Sequence, residues 1–559
     1  MKTIKRSCRG GSSVLAIIFV TLFSVLAISF TAMSNMNVQM SRNHRDLVLA
    51  QAAAESGLQY ARYLVNSYVP PAAAYSPRNT VTAEEAASSF GYFVTHVQTL
   101  LDGSPILAGQ GIYQDLSAGL LQVPASGAIG YVSDGTATFS LRFEFVAGDE
   151  DNPHRMIVTS TGFQDQLSRT VRLSFPIQKN SSVLQYAIAG RGRLWLTGDC
   201  TVDGDIFSSW DRVDLSPFNV TADSHINGTI NTVLTLDQVL AQSWQMETLD
   251  EDGNPVFDEN GDRVYSTEDE VQGYHEGINY GQQDMDMPGM DIADYDTSAY
   301  KAAIPTTIRS GTASLIADGI LGKTGVPTVT EYFPHAAGNC GQAVSGSQTL
   351  TRYKYENKTL RNVRVAAGTQ ALFKNCTFEE VLYVDCSTSG PTSTASTYNN
   401  IRFDNCTFNG TIITNVPQAL NSNWWKKNCL YFTGSATFQN NSSVPEATIL
   451  APHFNVNLGN TNPVEGDTNQ LTGAIVGGIV DIRGNAEIHG TIISMSDTTS
   501  YTSGYVTNVG ATLGDGGSET TEPGDVGVIH ITPDPDKMLP SGIQTPIVIL
   551  SDGNSYVEL

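Results

Sequence analysis

Internal repetition constrains this chain more than any other feature. Phe373-Lys374-Asn375-Cys376-Thr377-Phe378 returns thirty residues later as Phe403-Asp404-Asn405-Cys406-Thr407-Phe408. Gly-Thr-Ile occurs at Gly228, Gly410 and Gly490, each time after an apolar residue and an Asn or His. Echoes at such spacing mark chains that wind in successive coils, each stacked on the last. Every cysteine from Cys200 onward follows an Asn or Asp, in Asp199-Cys200, Asn339-Cys340, Asn375-Cys376, Asp385-Cys386, Asn405-Cys406 and Asn428-Cys429. Asn and Asp tolerate the left-handed backbone that turns a strand through a corner, after which a small apolar side chain points inward to begin the next face. Ile401 and Phe403 would then face in, Asn405 would turn the chain, and Cys406 and Phe408 would face in again. Disulfides are the competing reading of these thiols, because the compartment outside a membrane is oxidising. The spacings are poor for zinc, with no CxxC pair.

The N-terminus sets a second constraint. Lys2, Lys5, Arg6 and Arg9 precede an uncharged stretch over residues 10–41. Its apolar side chains are Val14, Leu15, Ile17, Ile18, Phe19, Val20, Leu22, Phe23, Leu26, Ile28 and Phe30. A span needs about 20 mostly apolar residues, so this segment suffices, and the basic cluster predicts a cytoplasmic N-terminus with the bulk of the chain outside. A cleaved secretory signal has the same basic and apolar layout and stays open as an alternative. Leu47, Ala50, Ala54, Leu58, Ala61 and Val65 continue a helical spacing up to Pro70 and Pro71, which predicts one long helix over residues 12–70. Three alternating runs at 136–146, 155–164 and 167–178 then read as an antiparallel sheet, with turns at 148–153 and 165–166.

The residues at the two ends of the apolar helix resemble the N-terminal segment of PilX-type minor pilins, within the type IV pilin and type II secretion pseudopilin group. They are Arg9-Gly10-Gly11-Ser12-Ser13-Val14-Leu15 and Leu49-Ala50-Gln51-Ala52-Ala53-Ala54-Glu55-Ser56-Gly57-Leu58, over roughly the first 65 residues. The resemblance implies a prepilin peptidase cut after Gly11, with Ser12 as the new N-terminus. Ala16 stands where major pilins carry a glutamate, which argues against a bulk filament subunit. The Asn-Cys turns and the repeats over 183–556 in turn resemble the parallel β-helix of the pectate-lyase-like group, a likeness of fold that carries no activity with it.

Candidate chemistry is sparse. Residues 247–296 hold sixteen acidic side chains, with Arg263 the only Arg or Lys, and read as an insertion between coils. Asp250, Asp252 and Asn254 around Gly253, and Asp258, Asn260 and Asp262 around Gly261, present oxygen ligands of the kind calcium prefers. The same residues are strong formers of exposed hairpin turns. Asp404 with Arg402 and Asp481 with Arg483 sit two apart on a strand face, as catalytic carboxylates or as any solvated strand would. Trp424-Trp425 beside Lys426-Lys427 could stack on a sugar or fill a coil-end contact. His225, His335, His453 and His489 are scattered, with His489 reading as a turn residue. Residues 317–324 end in Gly-Lys-Thr, but Gly325 and Pro327 follow where a phosphate-binding loop would open a helix, so a plain turn is expected.

At roughly 100–200 residues per domain, 559 residues imply two to four domains. A formal net charge of -25 repels phosphate backbones and excludes nucleic acid as a partner. The expected organisation is a basic leader at 1–11, a membrane and extended helix at 12–70, a pilin-like region with its sheet at 71–178, and a β-solenoid at 183–556 with the acidic insertion. The expected role is non-enzymatic, in pilus or pseudopilus assembly from a bacterial inner membrane, with other pilin-like subunits as partners, surface carbohydrate as a candidate ligand and no required cofactor. A membrane-anchored polysaccharide lyase or hydrolase, and a plain signal-anchored surface protein, are the alternatives.

Overall fold

The structure is a computed structural model that describes the chain except residues 1–10, 79, 108, 131–136, 150–151, 284–288, 333–348, 388–394, 419–426, 440–448, 459–467, 496–505, 511–527, 535–538 and 551–554. The chain divides into two compact units, the first made of Met1–Ala74, Val81–Gln178 and Ile547–Leu559, the second of Tyr75–Thr80 and Lys179–Pro546.

The first unit begins with helix α1, Gly11–Asn66. It stops short of the expected residue 70: Val69, before Pro70, is barred from the helical region, and the chain has already left the helix in a tighter turn in which the Tyr68 amide donates to the Val65 carbonyl at 3.1 Å. The three expected strands form at Thr138–Val146, Arg155–Gln164 and Leu167–Lys179 and pair antiparallel in that order. The turn between the last two carries Asp165 at φ 52°, the left-handed conformation that Asp accepts more readily than most residues. Leu120–Val123 adds a further strand beside Thr138–Val146.

Two features of this unit lie outside the sequence expectation. Helix α2, Ala83–Leu101, starts on a capping box in which the Thr82 hydroxyl accepts from the Glu85 amide at 3.2 Å while the Glu85 carboxylate accepts from the Thr82 amide at 2.8 Å. Its buried face, Ala86, Phe90, Phe93, Val94, Val97 and Leu101, meets the sheet at Phe93 against Phe143, rings 5.5 Å apart. The second feature is the C-terminus. Ile547 and Ile549 are buried in the same core as Leu173 and Phe175, and Val557–Glu558 pairs antiparallel with Leu167–Lys179. Residues 547–559 therefore leave the region expected as solenoid and complete the first unit. The second unit is in effect an insertion into it.

The second unit is all-β apart from short helical turns, and its strands pair largely in parallel. Gln370–Lys374 stacks on Asn400–Asp404 and then on Cys429–Thr433, while Thr377–Val384 stacks on Thr407–Thr414. The sequence echo falls in register, so Phe373, Phe403 and Phe432 form one column of rings at 5.5 and 4.9 Å. Phe378, Phe408 and Phe438 form a second column at 4.8 and 4.4 Å. Asn375 and Asn405 turn the corner between the columns at φ 51° and 52°, and Cys376 and Cys406 are buried immediately after them.

Spatial order departs from chain order. Tyr186–Gly190 lies between Ile492–Ser494 on one side and Asp205–Ser208 on the other. From there the ladder runs out through Thr229–Thr232 to Gly277–Asn279, and in the other direction through 475–482, 449–458, 407–414, 377–384, 359–365 and 315–321 to Ile308–Arg309. The chain crosses between these extremes, and Met290, Ile292, Tyr295 and Ile304 of the crossing pack on an outward column that includes Tyr383, Ile413, Leu450, Val476, Ile493 and Phe207.

Candidate functional site

Helix α1 has two halves with opposite surroundings. From Ser12 to residue 45 every side chain is exposed, including Val14, Leu15, Ile17, Ile18, Phe19, Val20, Leu22, Phe23, Leu26, Ile28 and Phe30. At 1.5 Å per residue the uncharged part of this stem is about 45 Å long, enough for a bilayer core of about 30 Å. Three of the hydroxyls inside it bond within the helix: Thr21 donates to the Ile17 carbonyl at 2.9 Å, Ser29 to Val25 at 2.8 Å and Thr31 to Ala27 at 2.8 Å. Unsatisfied hydroxyls would be costly in lipid, so this bonding suits the apolar stem. An exposed apolar helix of this length near the N-terminus fits a membrane anchor.

The second half is seated on the sheet of the first unit. Ala50, Ala53, Ala54, Leu58, Ala61, Leu64 and Val65 are buried. Small residues here permit a very close approach: a Cβ at Gly162 would stand 2.0 Å from the Ala50 carbonyl oxygen and 2.4 Å from the Ala54 nitrogen. A Cβ at Gly57 would stand 2.3 Å from the Ser160 hydroxyl and 2.7 Å from the Phe139 ring. The alanine and glycine run of residues 50–57 is thus the contact surface of the helix. The sequence carried both glycines, but only the structure pairs them across the contact.

The other singled-out residues are distributed as follows. Asp250 accepts the Asp252 and Asn254 amides, each at 2.9 Å, and Asp258 accepts those of Asn260 at 2.8 Å and Asp262 at 3.0 Å. Both carboxylates are held below the usual range, chiefly by the backbone amide of Asn254 for Asp250 and of Asp262 for Asp258. The two triplets are therefore exposed, self-capped turns. Arg483 pairs with Asp481 at 3.1 Å, and Asp481 is fully buried, accepting also from Asn457 at 3.1 Å and Asn508 at 3.2 Å. Arg402 and Asp404 do not pair: Arg402 bonds Glu331 at 3.0 Å, and Asp404 lies 3.5 Å from Lys374. Leu315–Leu321 is a strand, so the Gly-Lys-Thr segment opens no helix.

Cys200, Cys376, Cys386, Cys406 and Cys429 are buried free thiols, and burial pushes Cys200 and Cys429 up to about 12. Burial lowers His275 and His453 to about 4 and raises Glu247, which pairs with Arg263. Cys8, His335, Cys340, Trp424, Trp425 and Lys426 lie outside the described residues.

Residues 10–59 match the PilX N-terminal family, so the start of the chain is pilin-like. No curated protein matches the chain. Among solved structures, the chain is similar to the competence-associated pilin ComZ from Thermus thermophilus at 13% identity, covering 92% of this chain and 98% of that one, with a TM-score of 0.25. A score that low does not equate the two folds.

Proposed function

We propose that this chain is a non-enzymatic, minor-pilin-like envelope protein that acts in the assembly of a type IV pilus or a type II secretion pseudopilus. The observation that carries the reading is the stem: an uncharged, fully exposed helix seated at its far end on an antiparallel sheet, within a segment that matches the PilX N-terminal family over residues 10–59. In this reading prepilin peptidase cuts after Gly11, and Ser12 opens a helix that spans the inner membrane once, with the basic leader cytoplasmic. The same helix then packs among those of other pilin-like subunits. Ala16 offers no carboxylate to a neighbour's N-terminus, which suits a protein of low copy number. The parallel ladders of the second unit are read as a β-helix, displayed outside the membrane and used for adhesion to surface carbohydrate. The reading needs no cofactor.

The test is the mass and N-terminal sequence of the mature protein from its native membrane. A start at Ser12 supports prepilin processing. An intact Met1 leaves a plain anchor and refutes the assembly role, and a start well beyond Phe30 indicates secretion and revives the carbohydrate-active alternative.

A further inference from the structure

Coil stacking brings together histidines that the sequence scatters. Ala486–His489 pairs in parallel with Ile529–Thr532, and Cys200–Val202 pairs with the other edge of that strand. The burial alternates along these strands, so Ala486, Ile488, Ile529, Ile531, Cys200 and Val202 point into the core while Glu487, His489 and His530 point out. Glu487 and His530 are register partners, and His489 lies two residues along from Glu487 on the same face. Asp203 continues from the third strand, its carboxylate 2.5 Å from His530 Nε2. His489 Nε2 lies 3.2 Å from Glu487.

We infer that this face binds a first-row divalent transition metal through His489 and His530, with Glu487 and Asp203 as its carboxylate ligands. Neighbouring rungs are about 4.8 Å apart and diagonal positions roughly 8 Å, so two imidazoles on a diagonal reach one ion at bonds of about 2 Å. Imidazole nitrogen with carboxylate oxygen is a donor set suited to zinc, copper and nickel and poorly matched to calcium or magnesium. As placed, each ring faces its own carboxylate, and among the described residues no three such side chains converge on one point. The four side chains are between 36% and 52% exposed, so rotamer changes on the picosecond to nanosecond scale bring them to a common ion. Isolated exposed pairs of this kind contribute at most about 1 kcal/mol, so stability alone gives little reason for two of them side by side. His225 follows on the same face, but Thr201 separates it from His530. It is outside the site.

The test is zinc titration by calorimetry of the full chain in detergent micelles, without an affinity tag and in a buffer that does not chelate. One Zn2+ per chain is expected to bind. His489→Gln with His530→Gln should abolish binding, Glu487→Gln should weaken it by about 10-fold or more, and His225→Gln should leave it unchanged. Binding by the double variant equal to that of the wild type, or no binding by the wild type, overturns the assignment. So does loss of binding in Asp250→Asn with Asp258→Asn while the histidine variant retains it. Should the double variant melt below the wild type, Glu487→Gln, which keeps both rings, decides the matter alone.

Discussion

Replacing Gly162 by alanine tests whether the seat of α1 is set by backbone contact. The added Cβ would sit 2.0 Å from the Ala50 oxygen and 2.4 Å from the Ala54 nitrogen, both main-chain atoms of the helix that cannot swing aside. Relief requires the helix to lift by roughly 1 Å, and a gap of that size forfeits a quarter to a half of the dispersion attraction along the contact. Overpacking typically costs about 1–3 kcal/mol, and with backbone on the far side the upper figure applies. In a unit of this size each kcal/mol shifts Tm by about 2–4 °C, so a fall of about 6–12 °C is expected. Gly91 is the internal control: it lies within α2 with nothing inside 4 Å of a built Cβ, so Gly91→Ala gains up to about 1 kcal/mol of helix propensity. The five tryptophans, Trp195, Trp210, Trp244, Trp424 and Trp425, belong to the second unit, so tryptophan fluorescence reports that unit alone. The first unit is followed by hydrogen exchange of α2. Gly162→Ala should speed exchange there and Gly91→Ala slow it, with the fluorescence melt unmoved in both. Equal changes of the same sign would refute the close-contact account.

Other expectations follow from the same geometry. A chain ending at Pro546 loses Ile547, Ile549 and the pairing at Val557, so α2 should exchange at least 10-fold faster, at about 1.4 kcal/mol per decade, while fluorescence melting of the second unit is preserved. His275 and His453 have folded values near 4, below the unfolded value, so the unfolded state binds more protons between about pH 6.5 and 4 and stability falls as pH drops. By pH 5 the loss is about 2 kcal/mol per histidine, partly offset by Glu247, whose raised value works in the opposite direction. Fluorescence melts at pH 7.5 and 5 should show the fall, and His275→Gln should reduce it. Asn405→Ala places a Cβ-bearing residue with no Asn side chain at φ 52° and removes the acceptor of the Ser435 amide, costing about 1–2 kcal/mol by urea unfolding, whereas Asn405→Gly recovers the backbone part.

What was legible in the sequence was local. The apolar stem and the three alternating strands follow from spacing within a few residues, and Asn375 and Asn405 take the left-handed backbone for the reason that spacing suggests, whereas Asp199, Asp385 and Asn428, which also precede cysteines, do not. Helix α2 was equally local, since Thr82, Glu85 and the apolar spacing from Ala86 to Leu101 spell a capped amphipathic helix that the sequence reading passed over. The remainder is not local at all. Nothing near Ile547 distinguishes a strand of the first unit from one more strand of the second. His530 and Asp203 are 327 residues apart in the chain and one rung apart in the ladder, a relation that depends on which strand pairs with which.

The non-sequential order of that ladder explains how so long an insertion is accommodated. Were the strands of this ladder paired in chain order, the first and last would stand at opposite ends, eleven steps of about 4.8 Å or roughly 50 Å apart. The sheet of the first unit could not then receive the chain on both sides of the insertion without long linkers. Instead the chain enters at the middle of the ladder, builds outward to Gly277–Asn279, resumes at Ile308–Arg309 and builds back until Ile492–Ser494 pairs with Tyr186–Gly190. The two ends are thereby side by side, with the Asn180 amide donating to the Pro546 carbonyl at 2.9 Å. A flexible insertion would already cost only a logarithm of its length to close, and one folded with its ends in hydrogen-bond contact costs the first unit less still. Between those two outer strands in the chain, Met290, Ile292, Tyr295 and Ile304 cover the apolar column from Tyr383 to Phe207, so the return across the ladder also closes its outward face.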